Sequence, residues 1–166
     1  MKKLPRIAKI GLGAVAVTVV FFALVFLLIV YGEPIHDINL WLLQKKFYTA
    51  KISHPSDSVL VEKKTYLGGP SLHGDSRCIY AVGEVRTAPL SKANIRSEYS
   101  AESIYFGKKT LQLRLLFADE YEGPYTMPYV DWQDELRETQ VSEDTLYVVY
   151  VSTGRPVFFY DGRCDD

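Results

Sequence analysis

Residues 10–31 run for 22 positions without a single charge and are dense in Val, Phe, Leu and Ile. As a helix, a run of this length rises about 33 Å, enough for a hydrocarbon core of about 30 Å, and a helix satisfies all its backbone groups internally. Only Thr18, Gly11 and Gly13 interrupt it, without the 3.6-residue polar period of a buried helix in a water-facing domain. The run therefore predicts a membrane-spanning helix. Lys2, Lys3, Arg6 and Lys9 precede it, whereas Glu33 and Asp37 follow. The positive-inside rule then leaves a basic tail, residues 1–9, in the cytoplasm and the rest of the chain outside. A cleaved signal peptide is the competing reading, with Val30-Tyr31-Gly32 as its cleavage pattern. Its apolar run would be about 7–15 residues, so the uncleaved anchor is preferred.

Charge separates the remainder from the tail. From Glu33 onward there are fifteen bases against twenty acids, a net charge of −5. Such a balance argues against a phosphate-backbone binder, so no nucleic-acid partner is expected. The sequence holds two cysteines, too few for a disulfide-rich scaffold or a four-cysteine zinc site. In an oxidising compartment Cys78 and Cys164 would pair and clip the tail onto a central strand.

The outer part reads as alternating short elements. Pro34 suits the first turn of a helix reaching about Tyr48, with Ile35, Ile38, Leu42 and Leu43 at helical spacing. Trp41 on it belongs either at a membrane surface or in a core. His54-Pro55-Ser56-Asp57 is a turn. Strands are expected over 59–67 and 78–86, then a short helix over 92–99 capped by Ser91. Leu111, Leu113, Leu115 and Phe117 alternate with Gln112 and Arg114, the pattern of one amphipathic strand. A helix over 129–138 and a hairpin of 146–151 with 157–160, turning at Ser152-Thr153-Gly154-Arg155, complete the chain. The fold class expected is α+β: an N-terminal transmembrane helix (10–31), a juxtamembrane helix and turn (32–57), and one extracytoplasmic domain (58–166). Short connections favour a mostly antiparallel sheet packed on short helices.

Three groups of residues invite a chemical reading. Ser71, His73 and Asp75 lie in a glycine-rich loop that nearly matches a G-x-S-x-G nucleophile elbow. His73 replaces the last glycine, and no helix follows. The bland reading is a turn whose Asp75 and Ser76 bond to their own backbone. Glu84 and Arg86 share a strand face, either as an acid/base pair or as a surface ion pair. Tyr121, Tyr125 and Tyr129 recur every four residues with Met127 between them, and Pro124 and Pro128 forbid a continuous helix. With Trp132 and an acidic rim of Asp119, Glu120 and Glu122, they suit a protein contact. The alternative is a lid folded over the sheet. His36, His54 and His73 are far apart, with His36 and His54 expected at the surface. No metal and no cofactor is expected.

The function expected is an interaction module anchored in the cell membrane by a single pass, its C-terminal domain outside. It would serve as an accessory subunit or an inhibitor-like protein with a partner in the membrane or envelope. The alternative is an anchored hydrolase using Ser71, His73 and Asp75.

Overall fold

A computed structural model describes residues 6–30, 33–69, 77–119, 129–139, 144–156 and 162–164. Helix α1 is Arg6–Val30. Here the expected membrane-spanning helix is corrected: among the described residues no helix is long and apolar enough to cross a membrane.

Helix α2, Glu33–Thr49, opens with Pro34 in its first turn, where a missing N–H costs nothing. His36, Leu43 and Phe47 are its buried residues, seven and four positions apart, and so form one stripe. The stripe differs from the one expected, because Ile38 and Leu42 point outward. Trp41 is also exposed, with Lys45 Nζ 5.4 Å above its ring, so it is not a core residue. The buried stripe packs on strand β2, Arg77–Ala88, beside Tyr80 and Val82.

Beyond these lie β1, Val59–Gly68; α3, Lys92–Tyr99; β3, Ser103–Phe106; β4, Lys109–Gln112; β5, Arg114–Phe117; α4, Tyr129–Thr139; and β6, Thr145–Pro156. Four strands form an antiparallel sheet in the order β1-β2-β6-β5, and β3 and β4 form a separate hairpin. The α+β class and the antiparallel pairing agree with expectation. Side chains alternate across the sheet. Val85, Val148, Tyr150 and Leu116 on one face meet Trp132 and Leu136 of α4. Tyr80, Val82 and Val151 on the other meet α2 and the β3–β4 hairpin, while Tyr147, Val149 and Phe117 meet Ile95 and Tyr99 of α3. Burial on both faces explains why β6 reads as an unbroken apolar run from Leu146 to Val151.

Local signals agree well at α3. Ser91 is its N-cap, and its hydroxyl accepts the Asn94 N–H at 3.3 Å. Two other expectations are corrected. The single strand over 111–117 is two strands in different sheets. The chain leaves the hairpin at Leu113, whose N–H donates to the Glu102 carbonyl at 3.1 Å, and re-enters as the edge strand β5. The hairpin partner β3 was not expected, although Gly107, at φ 62°, supplies the left-handed turn between Phe106 and Lys109. The turn at 152–155 is also absent. β6 continues through Ser152 and Gly154 to Pro156, because β2 extends far enough to pair with it, Cys78 opposite Arg155 and Arg77 opposite Pro156. Residues 157–160 lie outside the described residues.

Gly83, in the middle of β2, is required by packing. A Cβ there would lie 2.7 Å from Tyr150 Cβ and 2.8 Å from the Val149 carbonyl oxygen. Only glycine lets the Tyr150 side chain cross the central strand pair this closely.

Candidate functional site

The expected sites fare differently. Ser71, His73 and Asp75 lie outside the described residues, as do Tyr121, Tyr125 and Met127. Tyr129 is the first residue of α4. Trp132 is 5% exposed and meets Tyr150 edge-on at 6.0 Å, so its ring is committed to the core. Asp119, the described member of the acidic rim, is paired with Lys92. The hydrogen bond from that ammonium holds its carboxyl below the usual carboxylate range.

Cys78 and Cys164 form the expected disulfide, with Cα atoms 4.9 Å apart. Cys78 lies on β2 and Cys164 in a terminal 3₁₀ turn, Gly162–Cys164, so the bridge ties the end of the chain to the central strand. Both are buried. His36 lies beside them, buried rather than at the surface. Its helical spacing with Leu43 and Phe47 puts it on the buried stripe of α2, which the packing of that helix on β2 selects.

Among the described residues, a connected set of polar groups centres on Glu84 and Arg86. Both side chains leave β2 on one face, 12% and 11% exposed, with Arg86 Nη1 donating to Glu84 Oε2 at 2.6 Å. This is a half-buried pair rather than the surface pair of the bland reading. The Arg86 Nε and Nη2 groups donate to Ser58 Oγ at 3.2 and 3.1 Å, and Nη2 also reaches the Ser58 carbonyl. His54 closes the set. Its Nε2 is 3.7 Å from Glu84 Oε2, and its Nδ1 is 2.8 Å from the Tyr99 hydroxyl, itself 3.3 Å from that of Tyr147. The guanidinium thus pins the 54–58 turn onto β2. Glu84 is engaged by Arg86, and the oxygen of Ser58 accepts from it, so the set anchors a turn and offers no activated nucleophile.

Electrostatics follow from the partial burial. Burial first, and the Arg86 charge second, hold His54 below its ordinary value, against the opposing pull of Glu84. Burial, with help from Glu84, pushes Tyr48 up to about 12. Its hydroxyl donates to the Gly83 carbonyl at 3.2 Å. Burial also raises Tyr99.

A stability test follows for His54. Its folded-state value lies below the unfolded one, so the unfolded chain binds more protons as pH falls through about 6.5. The contribution of neutral His54 is therefore complete above that pH and diminishes as pH falls toward the depressed value. Thermal melting between pH 7.5 and 5.5 should show a steeper loss for the native chain than for His54→Gln. Parallel curves would reject the assignment.

A shallow groove of about 610 Å³ runs beside this set, lined by Arg96, Tyr99, Gln112 and Arg114 among others. Comparison with protein-family models, curated proteins and solved structures finds no match to this chain, so its functional reading rests on its own residues.

Proposed function

We propose that this chain is a non-catalytic interaction module of a compartment outside the cytoplasm, an accessory subunit or inhibitor-like protein. The observation that carries the reading is the outer edge of the sheet. β1 is ten residues long and pairs on one side only, with β2, among the described residues. At its start Val59, Leu60 and Val61 are 62%, 41% and 50% exposed. Glu62, Lys63 and Lys64 and the register shift between Leu60 and Glu62 blunt the rest of the strand, whereas its apolar start, residues 59–61, is left open to pairing with another chain. The buried disulfide supports an oxidising surrounding. The exposed Val, Phe and Leu side chains of α1 favour an apolar protein cover in the working assembly. The tyrosine run between β5 and α4 is a second proposed contact, since Tyr121, Tyr125, Met127 and Tyr129 are of the residue types enriched in protein interfaces.

Site-specific photo-crosslinking of the full chain in its native membranes or secretions is the test. A crosslinker at Val61 or Tyr125 should trap a discrete partner band. One at Tyr105, 74% exposed on the hairpin, should not. Equal trapping at all three positions, or none at Val61 and Tyr125, would reject the reading.

A further inference from the structure

We propose that His36, Cys78 and Cys164 form a redox-gated site for a thiophilic cation of the Zn²⁺ class, closed while the disulfide stands and opened when a dithiol cleaves it. The inference is independent of the interaction role above.

The three residues come from α2, the central strand β2 and the terminal 3₁₀ turn, and their ligand atoms lie within 4.8 Å of one another. Sequence spacing gives no hint of this cluster, because the fold alone brings three remote places together. All three are buried, with His36 3% exposed. A second observation points to a ligand. His36 Nδ1 lies 2.5 Å from the Tyr80 hydroxyl, and the two rings stack at 5.9 Å, yet Nε2 is buried with no hydrogen-bond partner among the described residues. Buried polar atoms are nearly always satisfied, so an orphaned nitrogen beside two sulfurs calls for a cause. If the Nδ1–H donates to Tyr80, the Nε2 lone pair is presented as a ligand, the arrangement in which an outer partner fixes the tautomer of a metal-binding imidazole.

Two thiolates and one imidazole are a recognised zinc donor set that leaves a fourth position open. The step balances as follows. The Cys78–Cys164 bond accepts two electrons and two protons from a dithiol, which becomes a disulfide. Zn²⁺ then displaces one proton from each thiol and bonds both sulfurs and the His36 nitrogen. The sulfurs must part to about 3.7 Å for two thiolates on one tetrahedral ion, with metal–sulfur bonds near 2.3 Å. The reductant's route is the 3₁₀ turn that carries Cys164. The three-residue turn is held by the Gly69 N–H to the Arg163 carbonyl at 2.9 Å and by Arg163 to Asp37 at 2.9 Å, so local release of this turn uncovers Cys164.

The test uses the full chain, reduced anaerobically with a phosphine, and Zn²⁺ as the probe. Calorimetry should show uptake of one ion per reduced chain, with about two protons released, and none by the oxidised chain. His36→Phe keeps the stacking on Tyr80 but removes both nitrogens, and should weaken uptake by about 100-fold; Tyr80→Phe should weaken it by about 10-fold. Should the reduced chain unfold, Zn²⁺ must restore its circular dichroism and cooperative melting, since the ion would bind the folded form preferentially. Absence of uptake, failure of Zn²⁺ to refold an unfolded reduced chain, or unchanged affinity in His36→Phe overturns the proposal.

Discussion

Replacing both Cys78 and Cys164 by Ala should lower the stability of the chain by about 5 kcal/mol. The bridge joins residues 86 apart, and the chain-entropy cost of a loop that long in the unfolded state is about 4–5 kcal/mol. The packing lost adds to it, because both sulfurs are buried among Leu43, Tyr80 and Val151. For a domain of this size the melting temperature should fall by roughly 10–20 °C. Calorimetry of the double variant beside the oxidised native chain checks this. A loss below about 1 kcal/mol would mean that the unfolded chain is not constrained by the bridge or that the native bridge is mostly broken.

The second large effect is expected on α2. Phe47→Ala should cost about 3–5 kcal/mol, the range for deleting a buried aromatic ring. Phe47 is 1% exposed and packs with Leu43, Tyr80 and Val82 against the central strand. Trp41→Ala, one and a half turns earlier on the same helix, removes a ring that is 55% exposed and touched by Lys45. It should change stability by less than about 1 kcal/mol, a surface substitution plus one exposed cation–π contact. Urea unfolding midpoints of the two variants decide between a helix that is part of the core and one that merely leads into it. Similar losses at both positions would contradict the assignment of the buried stripe.

The contrast between Trp41 and Phe47 also shows where sequence reasoning reached its limit. Elements with a local cause were legible: the Ser91 cap of α3, Pro34 at the start of α2, the turn at Pro55, and the two cysteines as one bridge. The face that each element buries was less so. On α2 apolar side chains occur nearly all round, so Ile38 and Leu42 competed with His36 and Phe47 for the inner stripe, and only the position of β2 selected between them. Strand ends were similarly undecided. Ser152-Thr153-Gly154-Arg155 has turn chemistry, yet it extends because β2 offers a full ladder of partners opposite it. The run 111–117 has one uninterrupted alternation, yet it divides at Leu113 between two sheets.

The candidate sites divide along the same line. The sequence by itself determined the residue chemistry available, the single disulfide and the short antiparallel elements, because these depend on neighbours within a few positions or on having only two cysteines. Tertiary structure alone decided which side chains meet. It set His54 between Glu84 and Tyr99, turned Trp132 inward against Tyr150, and brought His36 beside Cys78 and Cys164. The reason is physical: an imidazole or a carboxylate carries no periodic mark of its partner. The partners come from strands and helices tens of residues away, and close packing of α2, α4 and the sheet chooses among them only once the chain has folded.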